Sequence, residues 1–160
     1  MNNYEYYINN RDFIKNLKIN TGTTAEPTFT NVCTESEINL NVDLEIKDFF
    51  VYCDAIKRKI TTGAEMSLET VIKLDINNAG IRELLSNVHA LIKDGSISQF
   101  NNIIIQFDLL SGISEGVLEY TTYQINTNLE LEDLGGPAED EGEFTATFDF
   151  NGKGTEVTNP

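Results

Sequence analysis

Two segments of the chain alternate apolar and polar residues without interruption, and this pattern constrains the fold more than any other feature. The first segment covers residues 37–46 and the second covers residues 64–75. A strict period of two over about ten residues predicts a long β-strand with one buried face and one solvent-facing face. Strands of this length are near the upper limit for globular domains, so we expect both to extend beyond one compact core. Their apolar faces should pack on the core of the subunit.

The solvent-facing side of the first strand is acidic. One face carries Ile38, Leu40, Val42, Leu44 and Ile46, and the opposite face carries Glu37, Asn39, Asn41, Asp43 and Glu45. The whole chain has a formal net charge of −15 with 11 basic residues. This charge argues against general nucleic-acid binding, which requires a basic surface. A protein that lets nucleic acid pass without holding it stays compatible with this charge, since carboxylates repel phosphates.

Length and composition set the remaining bounds. With 160 residues, 40% of them hydrophobic, residues 1–160 should form a single domain with a sizeable core. No apolar run approaches a membrane span, and the first ten residues lack the basic and apolar regions of an export signal. We therefore expect synthesis in the cytoplasm and no membrane association. Cys33 and Cys53 show no C-x-x-C motif, which favours two free thiols.

One helix is predicted between the strands. Six apolar residues recur at helical spacing, namely Ile81, Leu84, Leu85, Val88, Leu91 and Ile92. This stripe predicts a helix over about 78–94 that lies flat on a sheet. Asn77 or Asn78 is suited to cap the start of the helix, and Gly95 is suited to end it.

Shorter segments complete the predicted order of elements. Aromatic and β-branched residues predict strands at 4–8, 13–19, 27–33, 103–110, 117–127 and 144–150. The stretch 47–63 is expected to connect the two long strands, with a turn at Thr62 and Gly63. Residues 130–143 are rich in acidic residues without a base, which predicts a solvated loop. One helix is too few for parallel β-α-β units, so we predict a mainly β fold, an antiparallel two-sheet β-sandwich or barrel with one flanking helix.

Candidate sites for catalysis, cofactors and metals are weak. His89 falls on the flank of the helical stripe, and no serine or cysteine nucleophile motif accompanies it. The acidic loop lacks the D-x-D-x-D-G alternation of a calcium loop. The Asn-Gly-Lys-Gly sequence at 151–154 follows a strand but opens no helix, so it predicts a hairpin turn rather than a phosphate loop. We therefore predict no catalytic, cofactor-binding or metal-binding residues and no enzyme activity.

A basic triplet stands out in this acidic chain. Lys57, Arg58 and Lys59 lie in the stretch 47–63, which also contains the aromatic residues Phe49, Phe50 and Tyr52. Two interpretations of the triplet are open. It meets the acidic loop of a neighbouring subunit, or it is the charged rim of a solvated turn.

Two stretches resemble the tail tube (major tail) proteins of long-tailed bacteriophages. The run NTGTTAEPTF at 20–29 is similar to their opening, where an Asn-Thr-Gly turn precedes a proline and an aromatic residue. The run EDEGEFTATFDFNGKG at 139–154 is similar to their closing strand, with an acidic turn, an alternating strand and a glycine-rich end. The order of elements from 37 to 154 agrees as well, with two long strands, one helix and a second set of strands.

The resemblance implies six subunits in a ring, with rings stacked into a tube that is part of the virion. The long strands would join neighbours into an inner barrel, which also removes an exposed strand edge. Lumen-facing residues would be Glu37, Asn39, Asn41, Asp43 and Glu45, and ring-stacking contacts would come from Phe49, Phe50, Tyr52, Lys57, Arg58 and Lys59. The implied partners are further copies of the chain, with tail sheath, terminator and baseplate proteins. DNA would pass through the lumen during ejection without specific binding.

Two alternative functions are open. The same fold would serve as the inner tube of a phage-like contractile particle, such as a tailocin or a secretion tube, whose cargo is not DNA. A monomeric surface-binding β-sandwich is an alternative from another class, although the chain has no tryptophan for a carbohydrate platform. Self-assembly into rings would distinguish the tube functions from the monomeric one.

Overall fold

A computed structural model describes residues 7–51 and 54–158, without the side chains of residues 54 and 55. Its elements in chain order are α1 (Asn10–Phe13), β1 (Ile14–Asn20), β2 (Phe29–Asn31), β3 (Glu35–Val51), β4 (Asp54–Lys73), α2 (Ala79–Asp94), β5 (Ile103–Ser114), β6 (Val117–Glu132), β7 (Glu143–Phe150) and β8 (Thr155–Val157). A 3-10 turn at Ser98–Phe100 leads from α2 into β5. Residues 4–6 of the first predicted strand lie outside the described residues, and Tyr7 and Ile8 are not in a strand.

The strands form one antiparallel sheet. Their order is β2-β1-β5-β6-β7-β4-β3, with β8 added to β6, and the sheet does not close into a barrel. The predicted mainly β, antiparallel fold with a flanking helix is confirmed. The two expected sheets are joined through the pairing of β6 with β7 into one continuous sheet. This sheet folds over, so that the inner faces of its two halves share one core.

The core collects side chains from both halves of the sheet and from the first half of α2. Its buried members are Ile14, Leu17, Ile19, Val32, Leu68, Ile72, Ile81, Leu84, Ile105, Phe107, Ile125, Leu129, Phe144, Ala146 and Phe148. The alternation predicted at 144–150 explains why three of these come from β7. Each large apolar side chain buried in this way stabilises the fold by roughly 1.5–3 kcal/mol.

β3 and β4 form a hairpin that extends far beyond this core. The two strands stay paired as far as Val51 and Asp54, whereas β7 pairs with β4 only over residues 67–73. Ile38 and Leu40 of β3 pack against the core. The next three apolar residues on the same face are exposed, at 54%, 51% and 56% for Val42, Leu44 and Ile46. The prediction that this whole face packs on the subunit's own core is therefore wrong, because β7 and the core end before these residues.

Gly63 lies in a β-bulge rather than in a turn. The pairing shifts by one residue after Glu45 and Gly63, which leaves Thr62 as the extra residue of β4. The Thr62 hydroxyl donates to the carbonyl oxygen of Glu45 at 3.3 Å. The prediction that 47–63 is a connecting segment is wrong, since most of it continues the two strands. A glycine that follows two threonines at the start of an alternating segment is compatible with a β-bulge as well as with a turn.

The glycine-rich stretch at 151–154 is not a hairpin turn. β7 pairs with residues 127–132 of β6, and β8 pairs with residues 122–124 on the same side. The stretch therefore interrupts one continuing strand. A Cβ atom at Gly154 would lie 2.6 Å from Cγ1 of Ile125, so any other residue here would have to displace that buried side chain.

α2 is closed at both ends by residues that the sequence suggested as caps. The Asn78 side-chain oxygen accepts hydrogen bonds from the N–H groups of Gly80 at 2.8 Å and Ile81 at 3.2 Å. Gly95 has a left-handed conformation with φ of 64°, and its N–H donates to the carbonyl of Leu91 at 3.0 Å. The capping amide at one end and the glycine at the other thus define the helix.

The apolar stripe of α2 is only partly buried. Ile81 and Leu84 lie in the core, whereas Ile92 near the C-terminal end is 78% exposed. His89, which the sequence places on the flank of this stripe, is exposed on the second half of the helix.

We expect Asn78→Ala to destabilise the free subunit. Besides capping α2, the Asn78 amide nitrogen donates to the carbonyls of Asn31 and Val32, each at 2.8 Å, and so ties the helix to the end of β2. Loss of the cap and of these bonds should lower the free energy of unfolding by about 2 kcal/mol, measured by denaturant titration of dilute subunits. The matched control is Asn77→Ala at the exposed neighbouring position. Equal losses in the two variants would contradict the capping role.

Candidate assembly surfaces

The polar side of the β3–β4 hairpin forms a continuous acidic surface. All five side chains predicted to face a lumen are exposed and lie on the side opposite the core, namely Glu37, Asn39, Asn41, Asp43 and Glu45. The register places Glu69 and Glu65 of β4 on this same side, opposite Asn39 and Asp43. The two strands thus present one polar face to the solvent.

This surface continues across β7 and β6. Asp149 of β7 pairs with Ser67, and Glu130 and Glu132 of β6 pair with outward-facing threonines of β7. We call the resulting surface the acidic face, and its carboxylates are Glu37, Asp43, Glu45, Glu65, Glu69, Glu130, Glu132 and Asp149. The sequence analysis assigned Glu130 and Glu132 to a loop. Their alternation with Leu129 and Leu131 was the signal that they continue a strand.

Repulsion between these carboxylates is not relieved by neighbouring bases. Asp43 and Glu65 face each other directly across the hairpin, an arrangement of like charges that destabilises a strand pair. Over the ranges 7–51 and 54–158, none of the eight carboxylates forms an ion pair. Within this surface, the Asn39 amide nitrogen donates a hydrogen bond of 2.9 Å to Glu37 Oε1. The acidic face is therefore a high-charge surface in the free subunit.

Glu35 does not belong to this face. The register shift after it places Glu35 opposite Ile72, and Ile72 points into the core. Its Oε1 atom is buried and has no hydrogen-bond partner among the described residues. Burial raises the pKa of this carboxyl above its ordinary value.

The sheet that carries the acidic face is open at both edges. Within the described residues no strand pairs with the outer edge of β3. At the other side β5 pairs with β6 only as far as Thr127, so residues 128–132 have no strand partner there in the part of the chain that the structure describes. Strands β6, β7, β4 and β3 thus form a four-stranded ribbon with unpaired backbone groups along both sides, which is a template for pairing with another chain.

The hairpin tip combines aromatic and basic side chains. Phe49 pairs with Arg58 and Asp48 pairs with Lys59, while the Lys57 ammonium lies 2.9 Å from Asp48 Oδ2. Phe50 is 67% exposed. The structure thus brings together five of the six predicted ring-stacking residues at one end of the molecule, and Tyr52 lies outside the described residues. We call residues 47–51 and 56–60 the hairpin tip.

An acidic loop lies at the opposite end of the hairpin. β6 runs on to Glu132, so the loop covers residues 133–142 rather than the predicted 130–143. The Leu74 N–H donates to the carbonyl of Gly142 at 2.8 Å and holds the loop against the end of β4. Lys73 binds Glu143 at 3.0 Å and lies 3.9 Å from Glu141. The hydrogen bond and the charge of Glu143 raise the pKa of Lys73, so this amine stays protonated.

A cleft of about 530 Å³ lies between this loop and the strands beside it. The residues that line it include Val71, Pro137, Asp133, Asp140 and Glu141. We call this feature the acidic cleft. The described residues contain no cluster of three or more metal-ligating side chains. The helices in these ranges are also too short or too polar to cross a bilayer.

No protein family model and no curated protein matches the sequence. Solved structures do match the fold. A chain in the virion of a native gene transfer agent particle aligns with a TM-score of 0.56 at 10% identity, over 89% of this chain and 96% of that one. A chain in the tail of an empty gene transfer agent particle, refined with C6 symmetry, aligns with a TM-score of 0.52 at 12% identity, over 95% and 100%.

A third match is a chain in the sheath-tube complex of an extracellular contractile injection system, PVC, in the extended state. It aligns with a TM-score of 0.55 at 13% identity, over 96% of this chain and 94% of that chain. Identities this low establish similarity of fold alone. The resemblance to phage tail tube proteins read from the sequence is thereby confirmed at the level of the fold, which this chain shares with chains of phage-like tails and injection particles.

Proposed function

We propose that this protein is the major tail tube subunit of a long-tailed bacteriophage, and that six copies close into a ring whose acidic face lines the lumen. The observation that carries this proposal is the four-stranded ribbon, acidic on one side and unpaired at both edges. A long exposed strand edge is an aggregation hazard that proteins remove by pairing or covering it. A closed ring of identical subunits pairs such edges with one another.

Ring closure follows from pairing unlike edges. The outer edge of β3 on one subunit pairs with the free edge of residues 128–132 on the next, so each contact is heterologous and repeats around the ring. Both edges belong to the strands that carry the acidic face, which places this face on one side of the closed wall. The six-fold count is supported by the C6 symmetry of the gene transfer agent tail with the same fold.

Ring formation also explains the exposed apolar side of the hairpin. Val42, Leu44 and Ile46 lie opposite the acidic face and are about half exposed, without full cover from the other described residues. Neighbouring subunits in the wall would bury them. An apolar patch of this kind on a soluble protein marks an interaction surface.

An acidic lumen lets a polyanion such as DNA pass because its wall does not bind phosphates. Carboxylates offer phosphates neither hydrogen-bond donors nor opposite charge, so a passing genome finds no site on the wall at which to stop. In this proposal the protein has no enzymatic role. Its location is the virion tail, and its partners are further copies of itself with sheath, terminator and baseplate components.

The inner tube of a phage-like contractile particle is the second candidate function. The similarity to a chain of an injection-system sheath-tube complex favours it specifically. An acidic wall serves an acidic protein cargo as well as a nucleic acid. The monomeric surface-binding sandwich has less support, because it leaves the edges of the ribbon unexplained.

Assembly of the purified protein tests the proposal. We expect hexameric rings or extended tubes in negative-stain micrographs, and light scattering that increases with protein concentration, because the unpaired edges of β3 and β6 associate. A monodisperse 17.9 kDa species at every salt and protein concentration would overturn the proposed function.

The second expectation concerns the wall charge. Replacing Glu37, Asp43 and Glu45 by Lys reverses the charge of three side chains per subunit, or about 18 side chains per six-membered ring. The apolar face is not altered. Tubes should still form, but they should now co-sediment with duplex DNA, and salt should weaken that binding steeply. Virions that carry the variant should adsorb normally and eject their genome slowly.

A matched control reverses three carboxylates away from the acidic face, at Glu26, Glu83 and Asp94. The control changes the net charge by the same amount, so any difference in DNA binding reports position rather than total charge. Equal DNA binding by the two variants would show that the acidic face does not line the channel.

A further inference from the structure

We propose that the second half of α2 packs on the exposed apolar side of the β3–β4 hairpin in the next subunit of the ring. The proposal rests on the proposed function and adds to it the surface of a second copy that covers Val42, Leu44 and Ile46. Three observations carry it. They concern the apolar stripe of α2, the place where α2 is held, and the side of the wall on which the two surfaces lie.

The second half of α2 carries an apolar surface that the other described residues leave exposed. The stripe that enters the core in the first half of the helix continues into this second half. Leu91 is 40% exposed there and Ile92 is 78% exposed, and Ile97 just after the helix is 66% exposed. We call Val88, Leu91, Ile92 and Ile97 the helix overhang. Because an apolar stripe on a helix is normally covered along its length, the overhang indicates a contact surface.

The middle of α2 is held close to the start of β5. Asn87 is buried, and its side-chain amide donates to the carbonyl of Gln99 at 3.3 Å, while the Gln99 amide donates to the carbonyl of Asn87 at 3.0 Å. A few residues further on, Ile103 pairs with Thr127 of β6, whose hydroxyl donates to the Ile103 carbonyl at 2.8 Å. In the described part of the chain, the free edge of β6 begins at the next residue, Asn128. The reciprocal bonds of Asn87 and Gln99 therefore hold the overhang beside the edge at which the next subunit would join.

The overhang and the exposed side of the hairpin lie on the same side of the proposed wall. Ile81 and Leu84 of α2 enter the core, so the helix lies on the side of the ribbon opposite the acidic face. Val42, Leu44 and Ile46 lie on that side as well. When the outer edge of β3 pairs with the free edge of β6 on the next subunit, these three side chains would come to lie next to the overhang of that subunit. Both surfaces are exposed within the described part of one chain, so the overhang does not cover its own hairpin.

The chemistry of the two surfaces favours their contact. Both consist of aliphatic side chains and methionine-free patches of similar size, so packing one on the other removes apolar area from water on two subunits at once. The acidic faces of neighbouring subunits repel each other, and ring closure therefore needs an attraction that does not depend on charge. A second copy of this chain supplies that attraction at every position of the ring, because each subunit has one overhang and one hairpin.

Cross-linking within assembled rings tests the contact directly. In a background with Cys33→Ser and Cys53→Ser, one chain carries both Ile92→Cys and Leu44→Cys. Rings treated with a short bismaleimide should give a ladder of covalently linked subunits on a denaturing gel, up to the full ring, because each overhang is joined to the next hairpin. The matched control replaces Leu44→Cys by Asp43→Cys, since the neighbouring side chain points to the acidic face on the other side of the strand. Rings of this control should stay unlinked.

The outcomes separate this proposal from the proposed function. Rings that form but give no ladder would overturn the packing of α2 on the next hairpin, and so would an equal ladder in the control. In both cases the rings would still stand as evidence for the proposed function. Absence of rings from the parent protein would instead overturn the proposed function itself.

Serine substitutions measure what the contact contributes to ring formation. Ile92→Ser and Leu44→Ser each change an exposed side chain, so the circular dichroism of dilute subunits should match the parent. The protein concentration at half-maximal ring formation should rise about tenfold for each. The double variant should lose much less than the product of the two single losses, because the two residues contact each other. Ile113→Ser is the control, since Ile113 is 59% exposed and belongs to neither surface. An equal loss in this control, or single losses that multiply in full, would overturn the proposal.

Discussion

The unpaired backbone edges of β3 and β6 are the constraint on which the rest of the structure depends. Donor and acceptor groups along a strand must be satisfied by water or by another strand. Among the described residues, no strand pairs with the outer edge of β3, which is 17 residues long. The sheet does not satisfy these edges by closing on itself. In the proposed ring, another chain would pair with these edges. The acidic face, the exposed apolar side of the hairpin and its projecting tip all belong to the same open ribbon.

Local patterns in the sequence were sufficient for the features that depend on near neighbours. The alternation at 37–46 was enough to identify the solvent-facing carboxylates of β3, because side-chain direction in a strand follows from the backbone alone. The caps of α2 were equally accessible, since Asn78 and Gly95 have conformational roles that few other residues fill. The mainly β class followed from the count of strands and helices.

Features that depend on distant parts of the chain were not predictable. Gly63 is compatible with a turn and with a bulge, and only the partner strand decides between them. Val42 and Leu44 carry the same pattern as Ile38 and Leu40, yet only the latter pair is covered by the core. The alternation in the sequence predicts which face of a strand is apolar. The length of the neighbouring strands decides how much of that face is buried. The contribution of β6 to the acidic face was missed because the abundance of acidic residues after Leu129 suggested a loop.

The projection of the hairpin past β7 has a consequence for when the subunit becomes fully ordered. Over residues 54–66 of β4, which β7 does not reach, the two strands are held by their own ladder, and an isolated two-stranded ribbon is at best marginally stable in water. This outer part is therefore the first region of a free subunit to open, while the core around Phe144 and Phe148 stays closed. A neighbour that pairs with the ribbon stabilises it by mass action. In the proposed ring, each newly ordered ribbon would offer a firm edge to the next chain, so growth on an existing ring would be favoured over the start of a new one.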